Sequence, residues 1–415
     1  MIKNLILFIS LLIGYSSIGQ TVTSLSDCET IFLKNNLSLL AAQFNIDGTK
    51  ALTIQAKLWD NPYLSSEFNA RNPENGKYFD IGKSGQKAAS IQQLIYMGGK
   101  KKAQIELAKN NQVIAALEFQ DLLRNLKFEL KRSFYTLYFN NKKLELSNQQ
   151  INNLDTLVKS YGVQSAKGNV SIKDYLRLQS LLIDLKNERM ETIKSNIEEE
   201  ANLNILLADS IQVNPVLKES FFNKYIGPLH LNLFDLEQQA LLLRPDFGIA
   251  LQNVKTNEIN INLQKALRVP DITLGSSWDQ HGGAFDNQIN LTLGLPLPLW
   301  NKNQGNIKYA ESMTSLAKTD KQSEELKLKA EVTGTYKKWL EANNNFKQLL
   351  ESNIDNYESV YQGVLYNFKK GNIGILDFTD FLESYNQMRA HFNELKKTVV
   401  LSSEALNNVV NKELF

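Results

Sequence analysis

The chain spells one turn twice: KGNVSIKDY runs from Lys167 to Tyr175 and KGNIGILDF from Lys370 to Phe378, roughly two hundred residues apart. Such a repeat constrains the fold more than composition does, because each copy has to be the same supersecondary unit. Other features align at about the same offset and in the same order. A helical segment, Asn36 to Trp59 or Arg244 to Leu267, is closed by Asn61-Pro62 or Val269-Pro270. A strand follows, PYLSSEFNA or PDITLGSSW, and then a second, QKAASIQQLIY or NQINLTLGLPLPLW. The halves therefore run from about 30 to 208 and from about 236 to 410. With little proline and no Ser/Gly-rich linker, residues 20 to 415 read as a single domain made of two repeats.

The strands alternate. Ile289, Leu291, Leu293, Leu295 and Leu297 point one way and Asn290, Thr292 and Gly294 the other; Ile272, Leu274, Ser276 and Trp278 oppose Thr273, Gly275 and Ser277. A soluble sheet with one wet face fits this alternation. Strand lengths of about 9 to 11 residues and aromatic residues at the strand ends (Trp59, Tyr63, Tyr96, Trp278 and Trp300) fit a transmembrane β-barrel better. Four strands cannot close a barrel, and open edges are not tolerated in lipid, so such a barrel has to be shared between copies of the chain. The connections RNPENGKYFDIGKSG and DQHGGAFD, the second holding His281, read as exposed hairpin loops.

The remainder reads as long helix. From Lys100 to Tyr161 there is neither proline nor glycine, and Leu123, Leu126, Leu130, Leu137, Leu144, Ile151, Leu154, Val158 and Tyr161 recur at spacings built from threes, fours and sevens. About sixty residues at 1.5 Å each make a rod of about 90 to 100 Å. A second rod, Asn306 to Phe368, puts Leu326, Val332, Tyr336, Leu350, Ile354, Tyr357, Tyr361 and Leu365 on its seam. Each rod ends at a KGN turn and a helix returns, Ser171 to Leu207 or Ile375 to Val410. Gly168 and Gly371 supply the positive φ that reverses the chain. The turn is written twice because there are two helical hairpins.

The first residues, MIKNLILFISLLIGYSSIGQ, have the layout of a cleaved signal, residues 1 to 19. Cys28 is the one cysteine, so no internal disulfide is available, and its position well past the apolar run does not suit a lipid anchor. A net charge of +2 with interspersed Lys and Glu describes solvated helices and excludes a nucleic-acid patch.

These residues together, with the turns YGVQSAKGNVSIKDYLRLQ and LYNFKKGNIGILDFTDFLES, resemble the TolC-like outer-membrane efflux family, in its compact heavy-metal branch of the CzcC/CusC type. The resemblance spans Thr21 to Phe415. It implies a homotrimer whose subunits each give four strands to a shared twelve-stranded outer-membrane barrel, with the helices forming a coiled-coil tube in the periplasm. It further implies a passive duct without cofactor or bound metal, served by a periplasmic adaptor and an inner-membrane transporter, taken to be proton-driven, that exports metal cations or small toxic compounds.

The family's entrance-lining aspartates map onto Asp377 and Asp380, with Asp174 and Arg177 as first-half counterparts. An Arg177 to Asp380 ion pair would latch the tip, or these are ordinary exposed helix charges. The family's adaptor contact maps onto Gly168, Asn169, Val170, Gly371, Asn372 and Ile373, where Val170 and Ile373 are apolar in turns expected to be solvated. The chain departs from the heavy-metal branch in having no anchoring cysteine and few Met or His (5 and 3).

Enzyme signatures are missing, and His230, His281 and His391 have no cysteine or serine partner in the sequence. A periplasmic coiled-coil structural protein and a protein-secretion duct of the same fold are the alternative readings.

Overall fold

The computed structural model describes residues 23–226, 231–350 and 357–415. The expected signal, His230 and the seam residue Ile354 lie outside the described residues. Two compact units emerge. One combines Leu122–Arg244 and Leu328–Phe415 with the chain up to Leu40; the other combines Ala41–Asp121 with Pro245–Lys327.

The strands lie in the second unit: β1 (Tyr63–Phe68), β2 (Gln86–Ile95), β3 (Ile272–His281) and β4 (Phe285–Gly294). They form one antiparallel sheet in sequence order, so β1 and β4 are its edges. Leu64 pairs with Ile91, Ile91 with Ser276 and Ser276 with Leu291; Leu274 pairs with Leu293 and Trp278 with Ile289. Directly paired residues share a face. One face is therefore apolar, and the other carries Ser65, Ser90, Gly275, Ser277, Asn290 and Thr292. On the polar face the Ser65 and Ser90 hydroxyls lie 2.8 Å apart.

Two sequence expectations are corrected here. β4 stops at Gly294 rather than running to Trp300, because Pro296 and Pro298 lack the N–H that a ladder needs. His281 is not in the loop: it ends β3, pairs with Phe285 and leaves a tight turn in which Gly282 has φ +42.

Helices of this unit follow the same order as the strands. In α2 (Leu37–Lys57), the Thr53 hydroxyl reaches the Ala108 carbonyl, 3.3 Å away, on α3 (Lys100–Ala166). Asn110 of α3 donates to the Gln252 carbonyl and Thr256 hydroxyl of α7 (Pro245–Leu267) at 3.0 and 2.7 Å. Lys318 of α8 (Gln304–Leu350) pairs with Glu258 of α7 at 3.5 Å. Ala103, Ala115, Ala266, Ala310 and Ala317 are buried, and such small residues let helices approach closely. Between β2 and α3, Gly98 has φ +67 and a Cβ there would fall 2.7 Å from that of Val269, so only glycine fits.

In the other unit, α1 (Leu25–Asn35) starts on Ser24, whose hydroxyl accepts from Asp27 N–H at 3.1 Å. α3 turns back as α4 (Ile172–Leu207); α5 (Asn223–Ile226) and α6 (Leu233–Leu243) follow; α9 (Tyr357–Lys369) turns back as α10 (Ile375–Val410). Leu130, Leu137, Leu154 and Val158 are buried, as their spacing predicts. The second seam is corrected: Leu326, Leu350 and Tyr357 are exposed, and Leu328, Val332, Trp339 and Phe346 take the buried line. Leu326 lies six residues before Val332, an interval that rotates it off that face. Both returning helices end alike, with Ala208 and Asn411 left-handed at φ +50 and +56.

A buried charge sits near the C-terminal end of α10. Glu404 is sealed from solvent, 2.8 Å from Lys131 of α3, and accepts from the Tyr225 hydroxyl at 2.6 Å. Burial raises its carboxyl pKa, but Lys131 and the Tyr225 and Asn407 hydrogen bonds more than offset this and leave it below the ordinary glutamate value.

Candidate functional site

The two hairpin turns are built alike. After α3, Gly168 N–H donates to the Ser165 carbonyl and Asn169 N–H to the Gln164 carbonyl, both at 3.0 Å. After α9, Gly371 N–H donates to the Phe368 carbonyl and Asn372 N–H to the Asn367 carbonyl, both at 2.9 Å. The glycines have φ +78 and +79. In each turn the asparagine amide also reaches back five residues, Asn169 to Gln164 at 2.7 Å and Asn372 to Asn367 at 3.2 Å. These are Schellman closures, which satisfy the last carbonyls of a helix without outside partners. Ser171 caps α4 by accepting from Lys173 N–H, whereas Gly374 leaves α10 without a side-chain cap.

Behind the turns all four helices share one core: Leu154 and Val158 of α3, Leu178, Leu182 and Leu185 of α4, Tyr361, Leu365 and Phe368 of α9, Phe378, Leu382 and Tyr385 of α10. Phe368 stacks on Phe378 with ring centroids 3.9 Å apart, and Tyr361 on Tyr385 at 4.5 Å. Ile373 was expected to stand in solvent; it packs against this core, which explains its apolar character, and Val170 is half-buried.

The charged residues predicted from the sequence are brought together in part. Arg177 Nη2 donates to Asp380 Oδ1 at 2.8 Å, linking the hairpins within one chain. Asp377 is exposed one turn before Asp380, and Asp174 is half-buried near Tyr161, whose hydroxyl pKa rises through burial and that carboxylate. Among the described residues, no group of three or more His, Cys, Asp or Glu is placed to hold a metal ion.

Sequence reasoning missed a second network. Glu358 of α9 accepts from the Tyr385 hydroxyl and from Arg389 at 3.3 Å, both on α10, and the Tyr385 bond is the main cause that lowers its pKa. The partners lie too far apart in sequence for helical spacing to reveal them. Only the placement of Tyr361 on the α9 seam hinted that aromatic rings fill the interior here.

At the sheet, Tyr63 opens β1, Tyr96 follows β2 with its ring tilted against that of Trp59 at a centroid distance of 6.1 Å, and Trp300 lies exposed past β4. Trp278 lies inside β3, since that strand runs three residues beyond it. In the loop between β1 and β2, Asp80 accepts from Asn72, Asn75 and Ser84 side chains and Gly82 N–H, which holds its carboxyl at about 2.

Residues 236–412 match the family described as outer membrane efflux protein. That match covers the second half of the chain, and along its whole length the fold is that of solved outer-membrane channels. The crystal structure of CusC aligns over 95% of both chains with a TM-score of 0.76 at 15% identity. The Campylobacter jejuni CmeC outer membrane channel covers 97% of this chain and 92% of its own, with a TM-score of 0.74 at 12% identity. In sequence, the cobalt-zinc-cadmium resistance protein CzcC of Cupriavidus metallidurans is 18% identical over 359 residues, 86% of this chain and 82% of that protein. The family consists of outer-membrane efflux channels, which are ducts and not enzymes.

Proposed function

We propose that the protein is the outer-membrane duct of a tripartite efflux pump, assembled as a homotrimer. The apolar face of an otherwise isolated four-stranded sheet carries the reading: Leu64, Ile289, Leu291 and Leu293 are all exposed, Leu291 to 88%. Water does not tolerate such a patch on a stable monomer, whereas lipid requires it. Among the described residues neither edge strand has a further partner, and three copies joined β4 to β1 give a closed twelve-stranded barrel with the serine, threonine and asparagine face turned inward. The helix layer has matching open edges, with Phe44, Leu52 and Ile54 exposed on α2 and Tyr309, Leu316 and Leu326 on α8.

In this assembly residues 1–19 direct export, residues 20–415 form two repeats of one duct, and the helical hairpins stand in the periplasm. Asp377, Asp380, Asp174 and Arg177 narrow the entrance, and the turns at Gly168, Asn169, Val170, Gly371, Asn372 and Ile373 meet the adaptor that connects to a proton-driven inner-membrane transporter. Metal cations are the favoured cargo, supported by the likeness to CzcC, with small toxic compounds second. A periplasmic coiled-coil scaffold would have no use for an apolar sheet face.

Fractionation and planar-bilayer recording test the proposal. Heat-sensitive trimers extracted from outer membranes only by detergent, with a small conductance that rises in the Asp377→Ala, Asp380→Ala double variant, are expected. A monomer released without detergent overturns it.

A further inference from the structure

The long loop between β1 and β2 lies at the end of the sheet away from the helices, since α2 leads into β1 and β2 leads into α3. It bends over the apolar side of the sheet. Lys87 pairs with Phe68 and Gln280, so both Lys87 and Gln280 stand on the face of Leu64, Trp278 and Leu291, and the Lys87 ammonium lies 5.9 Å from the centre of the Trp278 ring. From that face Lys87 donates to the Ile81 carbonyl at 3.0 Å and the Gln280 amide to the Gly82 carbonyl at 3.1 Å. Gln280 is buried beneath this segment. The Asp80 carboxylate fixes the bend by gathering Asn72, Asn75, Ser84 and Gly82 N–H, and the Asp80 carbonyl comes so close to Gly85 that a Cβ there would lie 1.6 Å from it. Phe79, just before, is left-handed at φ +48, a conformation that a bulky aromatic takes only under constraint. The result is three large side chains held outward: Tyr78, Phe79 and Ile81 are 71, 72 and 61% exposed. Arg71, Lys77 and Lys83 are exposed around them, with the Arg71 guanidinium 5.8 Å from the Tyr78 ring centre. The loop's carboxylates are Glu74 and the already engaged Asp80.

We infer that this loop is a lipid clamp: Tyr78, Phe79 and Ile81 enter the outer edge of the bilayer, and Arg71, Lys77 and Lys83 hold net-negative phosphate headgroups there; the inference rests on the outer-membrane reading above. Two observations select lipid as the occupant. First, the cluster continues the apolar wall. Phe68 and Ile289 are exposed on the same face toward the loop end of the sheet, and Lys87 and Gln280 tie the loop to that face. A loop folded across the barrel mouth would take its tethers from the serine- and asparagine-bearing face instead. Second, the chemistry is complementary to a lipid surface. Apolar and aromatic side chains ringed by cations suit the boundary where acyl chains give way to phosphate, whereas water gives no reason to hold three large apolar groups in the open.

Fluorescence quenching in reconstituted full-length protein tests this. Phe79→Cys, Ile81→Cys and, as a control on the sheet wall, Leu291→Cys each receive a thiol-reactive fluorophore. Native Cys28 does not interfere: it is buried and its thiol is pushed up to about 12, chiefly by that burial. In vesicles of phosphatidylcholine and phosphatidylglycerol with brominated acyl chains, the labels at positions 79 and 81 should dim about twofold, as the control does. At equal mole fraction, bromine on phosphatidylglycerol alone should quench the Ile81→Cys label about threefold more than bromine on phosphatidylcholine alone, and adding Lys77→Gln and Lys83→Gln should erase that preference. A quenched control beside unquenched labels at 79 and 81 would overturn the clamp and leave the duct intact. Equal quenching by the two brominated lipids would overturn the recognition of anionic headgroups. An unquenched control would overturn both this inference and the lipid-facing sheet.

Discussion

Arg177 reaches across from α4 to hold Asp380 at 2.8 Å, while Asp377, one turn earlier on α10, stands exposed without sharing that arginine. The two aspartates that sequence treats as a pair are therefore electrostatically unequal. Removing Arg177 unmasks a carboxylate, so Arg177→Ala should strengthen block of the conductance by divalent cations, and Asp377→Asn should weaken it more than Asp380→Asn does. Both charges of the ion pair are substantially exposed, so the melting temperature should hardly move, in keeping with about 0–1 kcal/mol for such pairs. Bilayer recordings over a divalent-ion series give the order.

The turn glycines make a backbone prediction. Nothing lies within 4 Å of a Cβ built at Gly168 or Gly371, so alanine meets no steric clash there, only the left-handed backbone. Gly168→Ala and Gly371→Ala should each cost about 1 kcal/mol, and nearly the same amount, because the two turns close alike. Denaturant titration of each variant provides the comparison.

The buried Glu404 ties stability to acidity. Its folded pKa is depressed, so its contribution is fully present above the ordinary glutamate value of 4.5 and drains away as pH falls from there toward the lowered value. Glu404→Gln should destabilise the protein by about 3 kcal/mol near neutral pH, since Lys131 keeps a buried charge with no counter-ion, and should flatten the acid limb of the stability profile. Thermal unfolding from pH 7 to 3 in both proteins measures this.

The two faces of β4 should respond oppositely to charge. Leu291→Arg places a cation on the apolar face and should cost about 2–4 kcal/mol if that face meets lipid near the midplane, with loss of heat-resistant trimers. Thr292→Arg, on the other face, should assemble normally and alter conductance instead. Equal effects in the two variants would contradict a lipid-facing sheet.

Much of the fold was legible because the chain obeys strong local rules. Proline- and glycine-free stretches gave the bounds of α3 and α10 to within a few residues, and strict alternation gave β3 and β4 with the correct apolar face. Misplacements arose where local pattern and tertiary packing diverge. Leu326 is apolar but six residues from Val332 and so off the face actually buried, and Ile373 looks solvated because sequence does not show that a turn folds back on its own core. Pro296 and Pro298 were a readable stop signal for β4, overridden by the leucines between them. The Arg177 to Asp380 bond was predictable only through the repeat, which puts both residues at the same height, whereas Glu358 and Tyr385 have no such register to betray them.

The unpaired edges of the sheet bear on how the cell makes this protein. In the trimeric barrel proposed above, a lone chain, or two chains joined, would carry raw strand edges into a solvent with no hydrogen bonds to offer, so intermediates would stay outside the bilayer until a third arrives. Insertion is then a single concerted event whose yield climbs steeply with the concentration of unassembled chains. A modest fall in synthesis or stability would empty the membrane of ducts far out of proportion, and a variant crippled at one edge would poison the assemblies it joins.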